Sequence, residues 1–110
     1  MTTRRADLGE LETLVMLAVL RLRSEASVRR IREEIAERGG RRLSRGALYA
    51  TLSRLERKGL LGVSVRQPNE VGRAIHHFEL TREGLATLRT AQLHLSRMRA
   101  GLESILEPSS

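Results

Sequence analysis

Leu8, Leu11, Val15, Ala18 and Leu22 recur at spacings of three and four, which predicts an amphipathic helix over about Leu8 to Leu22. Asp7 and Glu10 are placed to form its capping box. Leu14, Leu17 and Leu20 widen the apolar surface beyond one stripe, so this helix is expected to meet more than one neighbour. A second helix is predicted from about Val28 to Arg38, with Ser27 as N-cap, Val28, Ile31 and Ile35 facing inward and Gly39-Gly40 ending it. A third starts after Ser44 as N-cap and continues to Lys58, with Leu48, Leu52 and Leu55 on one stripe and Gly59 just past its end. The opposite side of that helix carries Arg45, Gly46, Ala50, Ser53, Arg54 and Arg57. These groups are small, polar or cationic, and Glu56 is the lone acid among them.

After Leu60 the period becomes two. Leu61, Val63 and Val65 alternate with Gly62, Ser64 and Arg66, and a matching run places Ala74, His76, Phe78 and Leu80 opposite Ile75, His77 and Glu79. The connecting residues 67–73 contain Pro68 and Gly72, so the two strands are expected to form an antiparallel hairpin with a protruding tip. Three helices followed by a hairpin describe a winged helix-turn-helix, with Arg66 at the base of the wing and Arg73 at its tip. Thr81 then caps a last helix predicted from about Arg82 to Leu106, stopped by Pro108. Along it Leu88, Ala91, Leu95, Met98, Leu102 and Ile105 alternate spacings of three and four, the pattern of a coiled-coil seam. A helix of about 25 residues is roughly 37 Å long and overshoots a compact three-helix core. Its distal half is expected to pack on a second subunit, the alternative being packing on the chain's own first helix. The fold class is therefore mainly α with a small β-hairpin. Residues 1–81 form the winged helix-turn-helix and 82–110 a dimerisation helix with a short tail.

Composition narrows the function. At 110 residues the chain is expected to hold one domain, and 40% hydrophobic with 30% charged residues suits a soluble globular protein. The longest apolar run, Leu14 to Leu20, is far short of the roughly 20 residues that span a bilayer, so no membrane partner is expected. No export pattern opens the chain. Without cysteine, disulfides, thiolate catalysis and cysteine-based metal sites are excluded. The net charge of +7 favours a polyanionic partner, and the basic residues are all arginine except Lys58. Arginine's rigid fork suits phosphate oxygens and guanine edges, although biased coding DNA also enriches it. With Tyr49 and Phe78 as the only aromatic residues there is little for stacking on single-stranded bases, so duplex DNA is the expected polyanion.

Leu8-Gly9-Glu10-Leu11-Glu12, the run from Gly46-Ala47-Leu48-Tyr49 to Gly59-Leu60-Leu61, and Phe78-Glu79-Leu80-Thr81-Arg82-Glu83-Gly84 resemble the PadR family of bacterial transcriptional regulators. The resemblance runs from about residue 8 to 102, is most specific in the middle motif, and is nearest the smaller subfamily with a single C-terminal helix. It implies a cytoplasmic, homodimeric winged-helix repressor that dimerises through its first and last helices and binds operator DNA. Tyr49 matches the family tyrosine on the recognition helix, where its hydroxyl can reach a phosphate. Gly72-Arg73 matches the wing-tip glycine and basic residue, near the minor groove or backbone. The chain departs from the family after that glycine, where Arg73-Ala74-Ile75-His76-His77-Phe78 replaces a lysine-tyrosine-tyrosine-like run. It has no tryptophan, and neither aromatic ring lies in the first or last helix, which leaves a stacked planar effector without support.

The expected DNA contacts are Ser44, Arg45, Gly46, Tyr49, Ser53 and Arg54 on the third helix, Arg66 and Arg73 on the wing, and Arg29 and Arg42 beside the helix-turn-helix. Arg30 and Arg41 flank the same motif. The expected dimer interface combines Leu11 and Val15 with Leu88, Ala91, Leu95, Met98, Leu102 and Ile105. His76 and His77 are adjacent on a strand and point to opposite faces, so they cannot chelate one ion within a chain, and no metal or cofactor is expected. No catalytic constellation is present, so an enzyme is not expected. The competing function is a winged-helix interaction module whose basic face binds an acidic protein. Operator, regulated genes and any small-molecule effector are not encoded in a readable way.

Overall fold

The computed structural model describes residues 8–66, 72 and 74–108. Its elements run α1 (Glu10–Leu22), a short 3-10 turn (Arg23–Glu25), α2 (Val28–Gly39), α3 (Arg45–Arg57), β1 (Leu61–Arg66), β2 (Ile75–Leu80), α4 (Arg82–Arg99) and α5 (Glu103–Leu106). Three helix starts are fixed by hydroxyl caps at the positions the sequence marks. Ser27 accepts from Arg30 N, Ser44 from Ala47 N and Thr81 from Gly84 N. Gly40 and Gly59, with φ of 64° and 77°, supply the left-handed turns after α2 and α3.

The start of α1 differs from expectation. Gly9 is its N-cap and Glu12, three residues on, accepts from Gly9 N at 3.0 Å. Glu10 is instead exposed and paired with Arg41 at 3.1 Å, and Asp7 lies outside the described residues. Glycine contributes only its backbone N–H, so the acid does the capping from the N3 position.

The core joins Val15, Met16 and Val19 of α1 to Ile31 and Ile35 of α2, Leu48, Leu52 and Leu55 of α3, and Leu60, Phe78 and Leu88 beyond them. α1 is the central helix, in contact with α2, α3, β2 and α4. The hairpin pairs Leu61 with Leu80, Val63 with Phe78 and Val65 with His76. Phe78 N also donates to Ala26 O at 2.9 Å, and Ser27 bridges His77, so the loop before α2 adds a third strand-like partner to β2. The predicted alternation holds along β1, but only Leu61 is buried; Val63 and Val65 are exposed because the ribbon leaves the core after one residue. Gly72 is described, while Arg73 and residues 67–71 lie outside the described set.

The last helix is also shorter than expected. α4 ends at Arg99, Gly101 takes φ 86°, and the four-residue α5 follows. Glu103 accepts from Gly101 N at 2.9 Å and locks the break. An apolar seam that continues at helical spacing does not register a single glycine, whereas the backbone does.

Candidate nucleic-acid interface

The exposed face of α3 is built at its N-terminus. Ser44 spends its hydroxyl on the Ala47 N–H, and Leu43 O accepts from Arg32 Nε at 3.0 Å, which ties the α2–α3 turn to α2. These bonds fix the direction in which Arg45, Gly46 and Tyr49 leave the helix, all three of them exposed. A β-carbon added at Gly46 meets nothing within 4 Å, so packing inside the chain does not require glycine there. Tyr49 is 49% exposed. Neither its hydroxyl nor Arg45 has a polar partner among the described residues.

A groove of about 570 Å3 separates this face from the base of the wing. Arg29 and Arg30 of α2 face Arg45 and Tyr49 of α3 across it, and Ile75 and His76 close the wing side. Among the described residues Glu25 is the one carboxylate in its wall. Glu33, outside the groove, is shared between Arg29 at 3.5 Å and Arg30 at 3.8 Å, so one acid offsets two cations and the groove keeps a positive balance.

The structure gathers only some of the expected contacts here. Arg29, Arg45 and Tyr49 line one groove, and Arg42 joins Arg29 on the adjoining surface of α2. Ser53 is exposed farther along α3. Arg66 lies elsewhere, in a cavity of about 480 Å3 between the end of α1, the hairpin and the start of α4, together with Arg23 and Arg82. Arg73 lies outside the described residues. Arg54 turns towards α1, where Glu12 Oε2 accepts from its Nε at 3.3 Å and from Lys58 Nζ at 2.7 Å. Glu12 is 5% exposed. Burial pushes its carboxyl pKa up, but the Lys58 ammonium, the Gly9 N–H and Arg54 outweigh that and hold it below the usual value of 4.5. In the sequence Glu12 stands out only as the last residue of the Leu8-to-Glu12 motif, yet an acid three residues before Val15 on an apolar helix is a sign of a buried ionic partner.

Of the expected dimer residues, Val15 and Leu88 are already covered by the chain's own core, and Leu11 and Ala91 are partly covered. Leu95, Met98, Leu102 and Ile105 are exposed, Met98 and Ile105 at 77% and 75%. Among the described residues no group of three or more His, Asp or Glu is arranged to hold a metal, and no helix is long and apolar enough to cross a membrane.

Together, a helix-turn-helix with an exposed cationic third helix beside a β-hairpin defines a winged-helix protein of the DNA-binding class. The chain belongs to the transcriptional regulator PadR-like family, whose model matches residues 16–90. It is thus a DNA-binding transcription regulator, from a family of regulators and not of enzymes.

Among solved structures, a PadR family regulator from Eggerthella lenta is 29% identical, with 91% of this chain and 88% of that one covered and a TM-score of 0.66. A PadR family regulator from Clostridium difficile is 22% identical, with 90% and 100% covered and a TM-score of 0.71. The PcaV regulator of Streptomyces coelicolor, solved with its natural ligand, is 24% identical over 91% of this chain and 64% of that one, with a TM-score of 0.68. No curated protein matches the chain.

Proposed function

We propose that the protein is a cytoplasmic, homodimeric repressor that reads an inverted repeat in duplex DNA, with α3 in the major groove. The observation that carries this reading is the groove face itself. Arg45 and Tyr49 stand exposed and unpartnered among the described residues, beside a glycine that the fold does not need, facing two more arginines. Arg45 and the first turn of α3 enter the groove, where the helix N-terminus and the guanidinium meet phosphate or base edges. Tyr49 donates its hydroxyl to a phosphate, Arg29, Arg30 and Arg42 sit along the backbone, and Ser53, one turn beyond Tyr49, extends the contact along the major groove. Arg66 is on the wing, which in this reading rests on the backbone or minor groove, and the expected contact at Arg73 lies outside the described residues.

Exposed apolar side chains near the C-terminus support the same reading. Leu95 and Met98 on α4, and Leu102 and Ile105 beyond the break at Gly101, are apolar side chains that a lone chain leaves in water, and in this reading a second subunit covers them. Two copies then present two recognition helices to half-sites about one helical turn apart, roughly 34 Å. The test is selection from a random duplex library at about 0.15 M salt together with the mass in solution. A palindromic motif enriched by a dimer supports the proposal. Uniform, salt-sensitive binding by a monomer overturns it, since any strongly basic protein binds phosphate without regard to sequence.

A further inference from the structure

Glu12 is the one acid buried in α1, and it reaches the helix assigned above to DNA reading at the end opposite Arg45. Its two oxygens are divided. Oε1 caps α1 through Gly9 N at 3.0 Å, and Oε2 takes both Arg54 and Lys58. Arg54 Nη2 also donates to Thr51 Oγ1 at 3.4 Å, and that buried hydroxyl donates in turn to Ala47 O at 2.9 Å. The carboxylate is therefore enclosed while its cations remain near the surface, with side chains 45% and 35% exposed. Both stems are long enough to swing outward once their anchor is gone.

We propose that Glu12 is a positioning residue for the reading helix: it holds Arg54 and Lys58 against α1 and confines nucleic-acid contact to the first turns of α3. This inference rests on the DNA-binding function proposed above. The physical logic is that phosphate contacts bind every sequence alike, so each cation released near the duplex adds affinity for any DNA without adding discrimination between sequences. Withholding two cations from phosphate thus keeps the sequence-blind affinity for bulk DNA low.

The test compares wild type, Glu12→Gln, Arg54→Met and the triple variant Glu12→Gln/Arg54→Met/Lys58→Met on the selected duplex and on a scrambled duplex over a range of salt. Each phosphate contact adds about 0.9 to the slope of log K against log salt. For Glu12→Gln the expected result is a slope steeper by about 1 to 2 on both duplexes, with tighter binding to scrambled DNA at low salt. The triple variant returns to the wild-type slope, and Arg54→Met alone keeps it. A shallower slope for Arg54→Met, or an unchanged one for a folded Glu12→Gln, overturns the inference. Should Glu12→Gln fail to fold, Arg54→Met and Lys58→Met carry the test, because direct phosphate contact by either cation lowers the slope by about 0.9 and contact with Glu12 alone leaves it unchanged. Arg45→Ala separates the two proposals: a wild-type slope for that variant, with no enriched motif, removes the DNA-binding function itself.

Discussion

Gly84 in the first turn of α4 packs directly on the Leu60 backbone, so closely that a β-carbon at Gly84 would overlap the Leu60 carbonyl oxygen. That carbonyl also accepts from Thr81 N at 3.1 Å, and Thr81 Oγ1 donates to Gly59 O at 2.7 Å. The end of α3 and the start of α4 are thus locked backbone to backbone. This explains physically why leucine-threonine is followed by glycine at this spacing. Gly84→Ala is expected to cost about 1–3 kcal/mol through overpacking against a group that cannot move aside, read as a drop in the urea midpoint. An unchanged midpoint would show that α4 shifts freely on α3.

Stability should depend on pH through Glu12. Its folded pKa lies below its unfolded value, so the stabilisation is fully present above about pH 4.5 and is lost as pH falls through the lower, folded value. Glu12→Gln is expected to lower stability by about 1–3 kcal/mol at neutral pH, because a charged acceptor for three donors is removed. The same change should flatten the acid limb in chemical denaturation measured between pH 3 and 7. Parallel acid limbs for the two proteins would contradict this.

On the groove face, Arg45→Ala should weaken binding to the selected duplex by about 1–3 kcal/mol with thermal stability unchanged. Tyr49→Phe removes only the hydroxyl and should cost about 0.5–1.5 kcal/mol, the range of a single hydrogen bond. Fluorescence anisotropy with a labelled duplex measures both. A uniform loss across base substitutions assigns Arg45 to phosphate, and a loss confined to one base pair assigns it to a base edge.

Leu95→Glu with Met98→Glu places two carboxylates on the exposed stripe of α4. The mass in solution should then fall from about twice 12.4 kDa to that value, with the far-UV spectrum of the winged domain kept. Affinity for an inverted repeat should fall with it, since two half-sites are no longer bound as a unit. An unchanged mass would move the interface elsewhere.

Local chemistry made much of this legible. Ser27, Ser44 and Thr81 start helices because a hydroxyl three residues before a free N–H is a short-range interaction that sequence order determines. The stripe of Leu48, Leu52 and Leu55 reads as core for the same reason. What stayed hidden is long-range. Arg54 looked like part of the cationic face until Glu12, 42 residues away, took its guanidinium. Val63 and Val65 alternate as a half-buried strand would, yet both stay exposed once the ribbon leaves the core. The break at Gly101 is concealed by apolar residues that keep helical spacing on both sides of it.

The bond from Phe78 N to Ala26 O occupies the inner margin of β2, so β1 is the sheet's open side among the described residues. An open side with two bare valines is a template on which another ribbon can grow. Here the template is six residues long and ends at Arg66, a charge that any copy laid alongside it in register would have to face. Arg66 is the one charged residue of that strand, and neutralising it is expected to raise self-association of the protein, read by light scattering.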